Sequence, residues 1–177
     1  DSDFLMAVHS NIMGSKTDAV IENNLALDIE KDPAGGLIHN LEITRRHKGG
    51  DLGFYNKTSN DYIRVLLPLE AEAIEVSGDD EFSINQLIDY KSQGFEIDPD
   101  LERYESTKTE GGKKIVDFWL VLKPGEAKTV LVKYKTPDFK NLYVQKQPGL
   151  KTRFSLTLGS KLLFDENLER DQDILFE

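Results

Sequence analysis

The feature that most constrains this chain is a period of two in its apolar residues. In R-F-S-L-T-L, Phe154, Leu156 and Leu158 take one side, while Arg153, Ser155 and Thr157 take the other. In K-T-V-L-V-K-Y-K, Val130, Val132 and Tyr134 oppose Thr129, Leu131 and Lys133. In L-I-H-N-L-E-I-T-R, Leu37, His39, Leu41 and Ile43 alternate with Ile38, Asn40, Glu42 and Thr44. Side chains of successive strand residues point to opposite faces, so this is the pattern of strands with one buried face. It predicts strands near 4–8, 18–30, 36–47, 61–68, 70–77, 113–123, 126–135, 141–147, 151–158, 161–164 and 172–177.

Turn residues fall between these segments. Pro33-Ala34-Gly35-Gly36 separates the second and third strands, and Pro68 bends the chain after Y-I-R-V-L-L. Pro124-Gly125 reads as a tight hairpin, since Pro presets φ and Gly supplies a positive φ. Many short strands without alternating helices predict an all-β, antiparallel, Ig-like β-sandwich. From 79 to 112 the alternation stops. That stretch reads as a peripheral insertion with at most one short helix, at I-N-Q-L-I-D-Y, where Ile84, Leu87 and Ile88 have helical spacing.

Composition narrows the function classes. The chain has 177 residues, of which 38% are hydrophobic, enough for one domain with its own core. No apolar run approaches the roughly 20 residues of a membrane-spanning helix. A net charge of -10 disfavours nucleic acid and anionic membrane surfaces. The absence of cysteine excludes disulfides, thiol catalysis and Cys-based zinc sites. The opening at Asp1 is expected to reflect excision from a longer protein, with targeting signals upstream.

The stretch G-S-K-T at 14–17 invites a nucleotide-binding reading. A phosphate loop needs G-x-x-x-x-G-K-[S/T] leading into a helix. Here Ser15 separates Gly14 from Lys16, and the following D-A-V-I-E-N-N-L alternates like a strand. The stretch is read instead as a linker turn with Gly14 in an awkward φ. His39 and His47 stand eight positions apart along one strand, too far to share a metal without a bend, and no G-x-S-x-G elbow appears. Acidic groups at Asp79-Asp80-Glu81, Asp98/Asp100 and Asp165-Glu166 with Glu169, Asp171 and Asp173 lack the central Gly of a calcium loop. They read as solvated loop charge, with weak calcium binding at 79–81 or 165–173 as the alternative; no cofactor is expected. Tyr55, Tyr62, Tyr90, Tyr104 and Trp119 form a candidate sugar-stacking set, with Trp119 expected in the core or at its rim. Lys133, Lys135 and Lys140 read as the wet face of a strand.

Several pieces resemble a known family. N-x-x-G-x-K at Asn11, Gly14 and Lys16 follows an apolar strand. R-H-x-G stands at Arg46, His47 and Gly49. Y-x-R-V-x-x-P stands at Tyr62, Arg64, Val65 and Pro68, followed by Ser77-Gly78. Then come L-K-P-G-E-A-K-T-V, with Pro124 and Gly125, and V-Q-K-Q-P-G, with Gln147, Pro148 and Gly149. In order and spacing these resemble the C-terminal part of the bacterial proteins grouped as domain of unknown function 4012. The resemblance implies a cell-envelope protein with an N-terminal membrane anchor, a large exported domain and this β-rich portion. It implies that 1–16 is a linker and edge strand of the preceding domain and 17–177 the sandwich, with Asn11 and Lys16 in a recurring structural turn. It carries no catalytic residues. The expected function is therefore a non-catalytic extracytoplasmic module, a spacer or interaction surface. The alternatives are a carbohydrate- or cell-wall-polymer-binding domain and an enzyme of unassigned type. The expected partners are a cell-wall polysaccharide or another envelope protein, with no nucleic acid.

Overall fold

A computed structural model describes residues 2–12, 14–50, 53–81, 89, 91–96 and 108–176. Twelve strands run in chain order: β1 Asp3–Asn11, β2 Ile21–Lys31, β3 Leu37–His47, β4 Ser59–Leu67, β5 Glu72–Ser77, β6 Lys108–Glu110, β7 Lys113–Leu122, β8 Ala127–Thr136, β9 Asn141–Val144, β10 Thr152–Leu158, β11 Lys161–Asn167 and β12 Gln172–Leu175. Helix among the described residues is limited to two 3₁₀ turns, Thr17–Val20 and Gly53–Tyr55. Each of the eleven strands expected from alternation has a counterpart. Only the short β6 has no forerunner in the sequence reading.

The strands form two six-stranded sheets, ordered β12-β9-β1-β4-β7-β6 and β11-β10-β2-β3-β8-β5. Comparing the two orders explains the architecture. β1 leads to β2, β3 to β4, β7 to β8, β9 to β10 and β11 to β12, and each step passes from one sheet to the same position in the other. All five of these arches lie at one end of the molecule. The within-sheet hairpins, β2–β3 across 32–36, β6–β7 across 111–112 and β10–β11 across 159–160, lie at the opposite end.

This corrects three expectations. First, the sheets are mixed, not antiparallel: β1 pairs with β9, and β10 with β2, in parallel. Two arches side by side send both of their first strands the same way, so parallel neighbours follow. Second, Pro124-Gly125 is no hairpin. Its turn does close, with Glu126 N donating to Lys123 O at 3.0 Å and Gly125 at φ 83°. But β7 pairs with β4 and β6, while β8 pairs with β3 and β5, so the turn carries the chain between sheets. Third, β1 is not the edge strand of a preceding domain. It is hydrogen-bonded on both sides, by β4 and β9, and it buries Leu5 and Ala7.

The inner faces of both sheets meet in one core. Leu5, Ile63, Val65, Phe118 and Leu120 from the first sheet join Leu27, Leu41, Ile43, Val132, Tyr134 and Phe154 from the second. The sandwich-like packing is the direct outcome of the alternation: the residues assigned to one face by period two are buried, except Leu158 at the end of β10, which is half-buried. Part of the 79–112 segment belongs to the scaffold. Asp80 bridges to Trp119, and β6 extends the first sheet beyond β7. Apart from Asp89, the 84–90 stretch expected as a short helix lies outside the described residues.

Phe118, Leu120, Leu122, Val130, Val132 and Tyr134 are all fully buried, although they oppose each other across the core rather than along a hairpin. Leu120→Ala is expected to cost about 2–5 kcal/mol, because a cavity opens in a packed interior. Lys133→Ala, on the outer face of β8, should change stability by at most about 0.5 kcal/mol. Urea melts of both variants check this; equal effects would contradict the face assignment.

Candidate functional site

Continuing the inward alternation toward the arch end of the sandwich brings charged residues onto the buried faces. On β4, Ile63 is followed inward by Asp61 and Ser59. On β1, Ala7 is followed by His9. On β3, Ile43 is followed by Arg45 and His47. Asp61 and the Arg45 side chain are fully buried. They meet between the sheets: Arg45 Nη1 lies 2.6 Å from Asp61 Oδ2, a charge contact rather than an aligned hydrogen bond. His9 Nδ1 donates to the same Oδ2 at 2.7 Å. The rest of the guanidinium is held from β2 and from the 3₁₀ turn that precedes it. Its Nε donates to Asn23 Oδ1 at 2.8 Å and its Nη2 to Asp18 Oδ1 at 3.0 Å. Asn23 Nδ2 in turn donates to Lys151 O.

A second buried pair stands at the hairpin end. Asp3, on β1, accepts from His39 Nε2, on β3, at 2.6 Å, and both side chains are fully buried. Asp3 Oδ1 accepts from Phe4 N. The His39 ring stacks on Tyr134, with centroids 4.4 Å apart and planes 13° from parallel. Burial, and secondarily the nearby Asp3 carboxylate, hold the Tyr134 hydroxyl well above its ordinary pKa of 10.0. Thus the apolar slab is closed at each end by a His–Asp contact, and at each end a polar contact crosses from one sheet to the other: Asp61–Arg45 at one, Asp3–His39 at the other.

The family-like motifs surround the arch-end cluster and have local structural explanations. Asn11 Nδ2 donates to Thr17 Oγ1 at 2.8 Å, and Thr17 Oγ1 donates to Gly14 O at 2.8 Å. A Cβ on Gly14 would stand 1.8 Å from Asn11 Oδ1, so crowding, not φ, requires glycine there. The positive φ expected at Gly14 belongs to Ser15, at 59°. Lys16 is exposed, and its carbonyl accepts from Ala19 N in the short 3₁₀ turn that leads into β2. In R-H-x-G, Gly49 N donates to His47 Nδ1 at 2.9 Å, while His47 Nε2 donates to Lys57 O at 2.8 Å. A Cβ on Gly49 would fall 2.4 Å from the His47 ring. Gln147 imitates a strand residue with its side chain: Oε1 accepts from His9 N and Nε2 donates to His9 O. This extends the β1–β9 ladder just before Pro148 and Gly149, where Gly149 has φ 79°. Arg64 stands apart on the outer face, 3.2 Å from Glu110.

The remaining candidates do not converge. Tyr62 and Trp119 pack at 5.0 Å on the outer face of the first sheet, so Trp119 lies outside the inter-sheet core. The Tyr62 hydroxyl donates to Asp117, which is 2% exposed although it faces outward. Tyr55 packs edge-on against Phe54 in the 48–58 arch. Tyr90, Tyr104, Asp98 and Asp100 lie outside the described residues. Asp80 is bound by Lys128 and Val121 N, Asp165 by Arg153, Asp171 by Tyr143 and Lys146 N, and Asp173 by Asn141. Among the described residues no three His, Asp or Glu side chains are grouped to hold a metal ion. No family model matches the chain, and no curated protein matches it.

The His9–Asp61 contact resembles the orienting half of a nucleophilic triad. Ser59, on the same strand face as Asp61, completes the residue types. Yet Ser59 Oγ is buried and bonds to neither His9 Nε2 nor Asp61, and Arg45 shares the carboxylate. A general base must reach the proton it moves, and a substrate must reach the base. Here Arg45 meets Asp61 from the facing sheet, and His9 meets it from the neighbouring strand of the same sheet. Asp61→Leu alone leaves a buried guanidinium without its counter-charge and is expected to cost about 3–5 kcal/mol, whereas Asp61→Leu with Arg45→Met should recover most of that loss. Denaturant melts of the single and double variants measure the difference. Tyr134 supplies a pH test. Its raised pKa means that its stabilising contribution is complete below 10.0 and is lost as pH rises from there toward the folded-state value. Spectrophotometric titration should show one tyrosine ionising only with unfolding; its ionisation in the folded protein would contradict the burial.

Proposed function

We propose that this domain is a non-catalytic, extracytoplasmic module of a bacterial cell-envelope protein, related to the family named by domain of unknown function 4012, and that it serves as an interaction surface or spacer. The observation that carries the non-catalytic part is the use of His9, Asp61, Arg45, Asp3 and His39. These are the residues best suited to acid–base chemistry, and they are buried in mutual contacts, of which Asp61–Arg45 and Asp3–His39 join the two sheets. The envelope assignment rests on the motifs at Asn11/Gly14, His47/Gly49 and Gln147. Their side-chain contacts give physical reasons for those residue spacings. We assign the finer fold class as an Ig-like sandwich, supported by two facing sheets joined through inter-sheet connections.

Carbohydrate binding is the second reading, favoured by the Tyr62–Trp119 pair beside Asp117. Two measurements separate the readings. With the full-length parent tagged within this domain, protease treatment of intact cells should remove the tag; protection until lysis would refute the external location. Trp119 fluorescence should stay unchanged on adding purified wall polysaccharide if the aromatic pair is only structural. A saturable shift, abolished by Tyr62→Ala, would favour the carbohydrate reading.

A further inference from the structure

The five arches side by side at one end of the sandwich each carry cations. In spatial order across the sheets they are 123–126, 48–58, 12–20, 145–151 and 168–171. They present Lys123, Lys57, Lys16, Lys146 with Lys151, and Arg170 respectively. Lys146 is half-buried and the others are exposed. Cations elsewhere are commonly paired, as in Lys128–Asp80, Lys135–Asp32, Lys140–Asp138 and Arg153–Asp165. Within the arches Lys48 is paired with Glu22, and Lys146 acts on the Asp171 carboxylate; among the described residues Lys16, Lys57, Lys123, Lys151 and Arg170 form no ion pair with a carboxylate. The acids in the same arches are largely engaged otherwise: Asp18 with Arg45, Glu126 with Lys123 N, and Asp171 with Tyr143 and Lys146 N. The bond from Tyr143, followed by that from Lys146 N, holds Asp171 below the ordinary carboxylate pKa. Adjacent strands stand about 4.8 Å apart, so five arches place positive charge along a row of roughly 19 Å. At one end of the row, Lys146, Pro148, Glu169, Arg170 and Asp171 line an open depression of about 480 Å3.

We propose that this row is a binding surface for a linear, phosphate-bearing polymer laid across the arches. The net charge of -10 opposes broad contact with a polyanion. Screening confines that opposition to about 8 Å at physiological salt, so local charge along the row decides. The row is one arch deep and is interrupted by Glu169, within the last arch, and by Glu22, which pairs with Lys48, so it suits a single flexible chain and disfavours a wide duplex. Its composition is mostly lysine. A compact ammonium suits phosphate as a point charge, whereas planar carboxylate recognition favours the forked guanidinium of arginine. Single-stranded nucleic acid gains affinity by stacking successive bases on aromatic rings. The arches offer one aromatic pair, Phe54–Tyr55, at a single position in the row. The surface is independent of the buried clusters and does not require the Tyr62–Trp119 face.

The test is fluorescence anisotropy with labelled long-chain polyphosphate over a salt series, using the whole domain. Binding should weaken as salt rises, with a slope that falls by about 0.7 for each phosphate-contacting cation removed. Lys57→Glu/Lys123→Glu/Lys151→Glu should lower affinity at least about tenfold and flatten that slope; Lys133→Glu, on the outer sheet face, should leave both unchanged. These arch positions are exposed, so melting temperatures should match the parent domain and exclude misfolding as the cause. Absence of binding at low salt, or equal losses in the arch and sheet-face variants, would overturn the proposal. So would tighter binding of single-stranded DNA or of polyglutamate than of polyphosphate, since either outcome assigns the row to another chemistry.

Discussion

Charge that is removed from water must find its opposite, and in this protein the opposite sits on the other sheet. A buried carboxylate or guanidinium costs several kcal/mol even after relaxation unless a partner and hydrogen bonds offset it. Asp61 faces Arg45 across the core, and Asp3 faces His39. An apolar slab alone tolerates sliding, because hydrophobic burial has no direction. A guanidinium that must reach Asp61, Asn23 and Asp18 together does not. The two contacts stand at opposite ends of the same slab, so each sheet is held against translation and rotation relative to the other. We regard register specification, more than net stability, as what these buried ions provide.

The chain connections depend on that fixed alignment. A hairpin sets the register of its own two strands, but an arch cannot, since its strands belong to different sheets. With five arches at one end, pairing information has to come from strand neighbours and from inter-sheet contacts. Gln147 illustrates the first source. Its side-chain amide holds both the N–H and the C=O of His9, keeping β1 aligned with the chain after β9 has ended. Gly14 and Gly49 illustrate how tightly the arches return: each lies where a single methyl group would strike a neighbouring side chain.

Strand identity and facing were legible in the sequence because period two is a local property. Leu37, His39, Leu41 and Ile43 face inward as alternation requires. The same rule, carried two steps further, places Arg45 and His47 inward, and run backwards from Ile63 it places Asp61 inward. The strands expected at 36–47 and 61–68 already contain these residues, but alternation along one strand does not tell which residue of the facing sheet a buried charge will meet. Topology was not legible. Pro124-Gly125 suits a hairpin and an arch equally, since both need only a reversal, and the choice depends on which sheet offers β7 a partner. β6 escaped notice because three residues, K-T-E, carry no periodicity and their pairing with β7 supplies the structure. The outer-face burial of Asp117 was likewise invisible to a rule that recognises only two faces.

The division of labour between the two ends follows from these constraints. At the hairpin end the links are short: 111–112 and 159–160 are two residues each, and 32–36 is fastened by Asp32, which caps its own turn and pairs with Lys135. Substitution there acts directly on strand register. At the arch end the register is already fixed by the Asp61–Arg45 contact and by the Gln147 clamp beneath the loops. Arch residues that point outward are therefore released from structural duty, and a rigid scaffold carrying unconstrained loops is the usual seat of recognition. The lysines stand at such positions. Gly14, Thr17, His47 and Gly49 in the same loops are held by bonding or crowding, whereas Lys16, Lys57, Lys123 and Lys151 are exposed and bear charge that no described carboxylate neutralises. The buried Asp61–Arg45 contact fixes the alignment of the sheets, and the exposed lysines stand on loops that this alignment leaves free to vary.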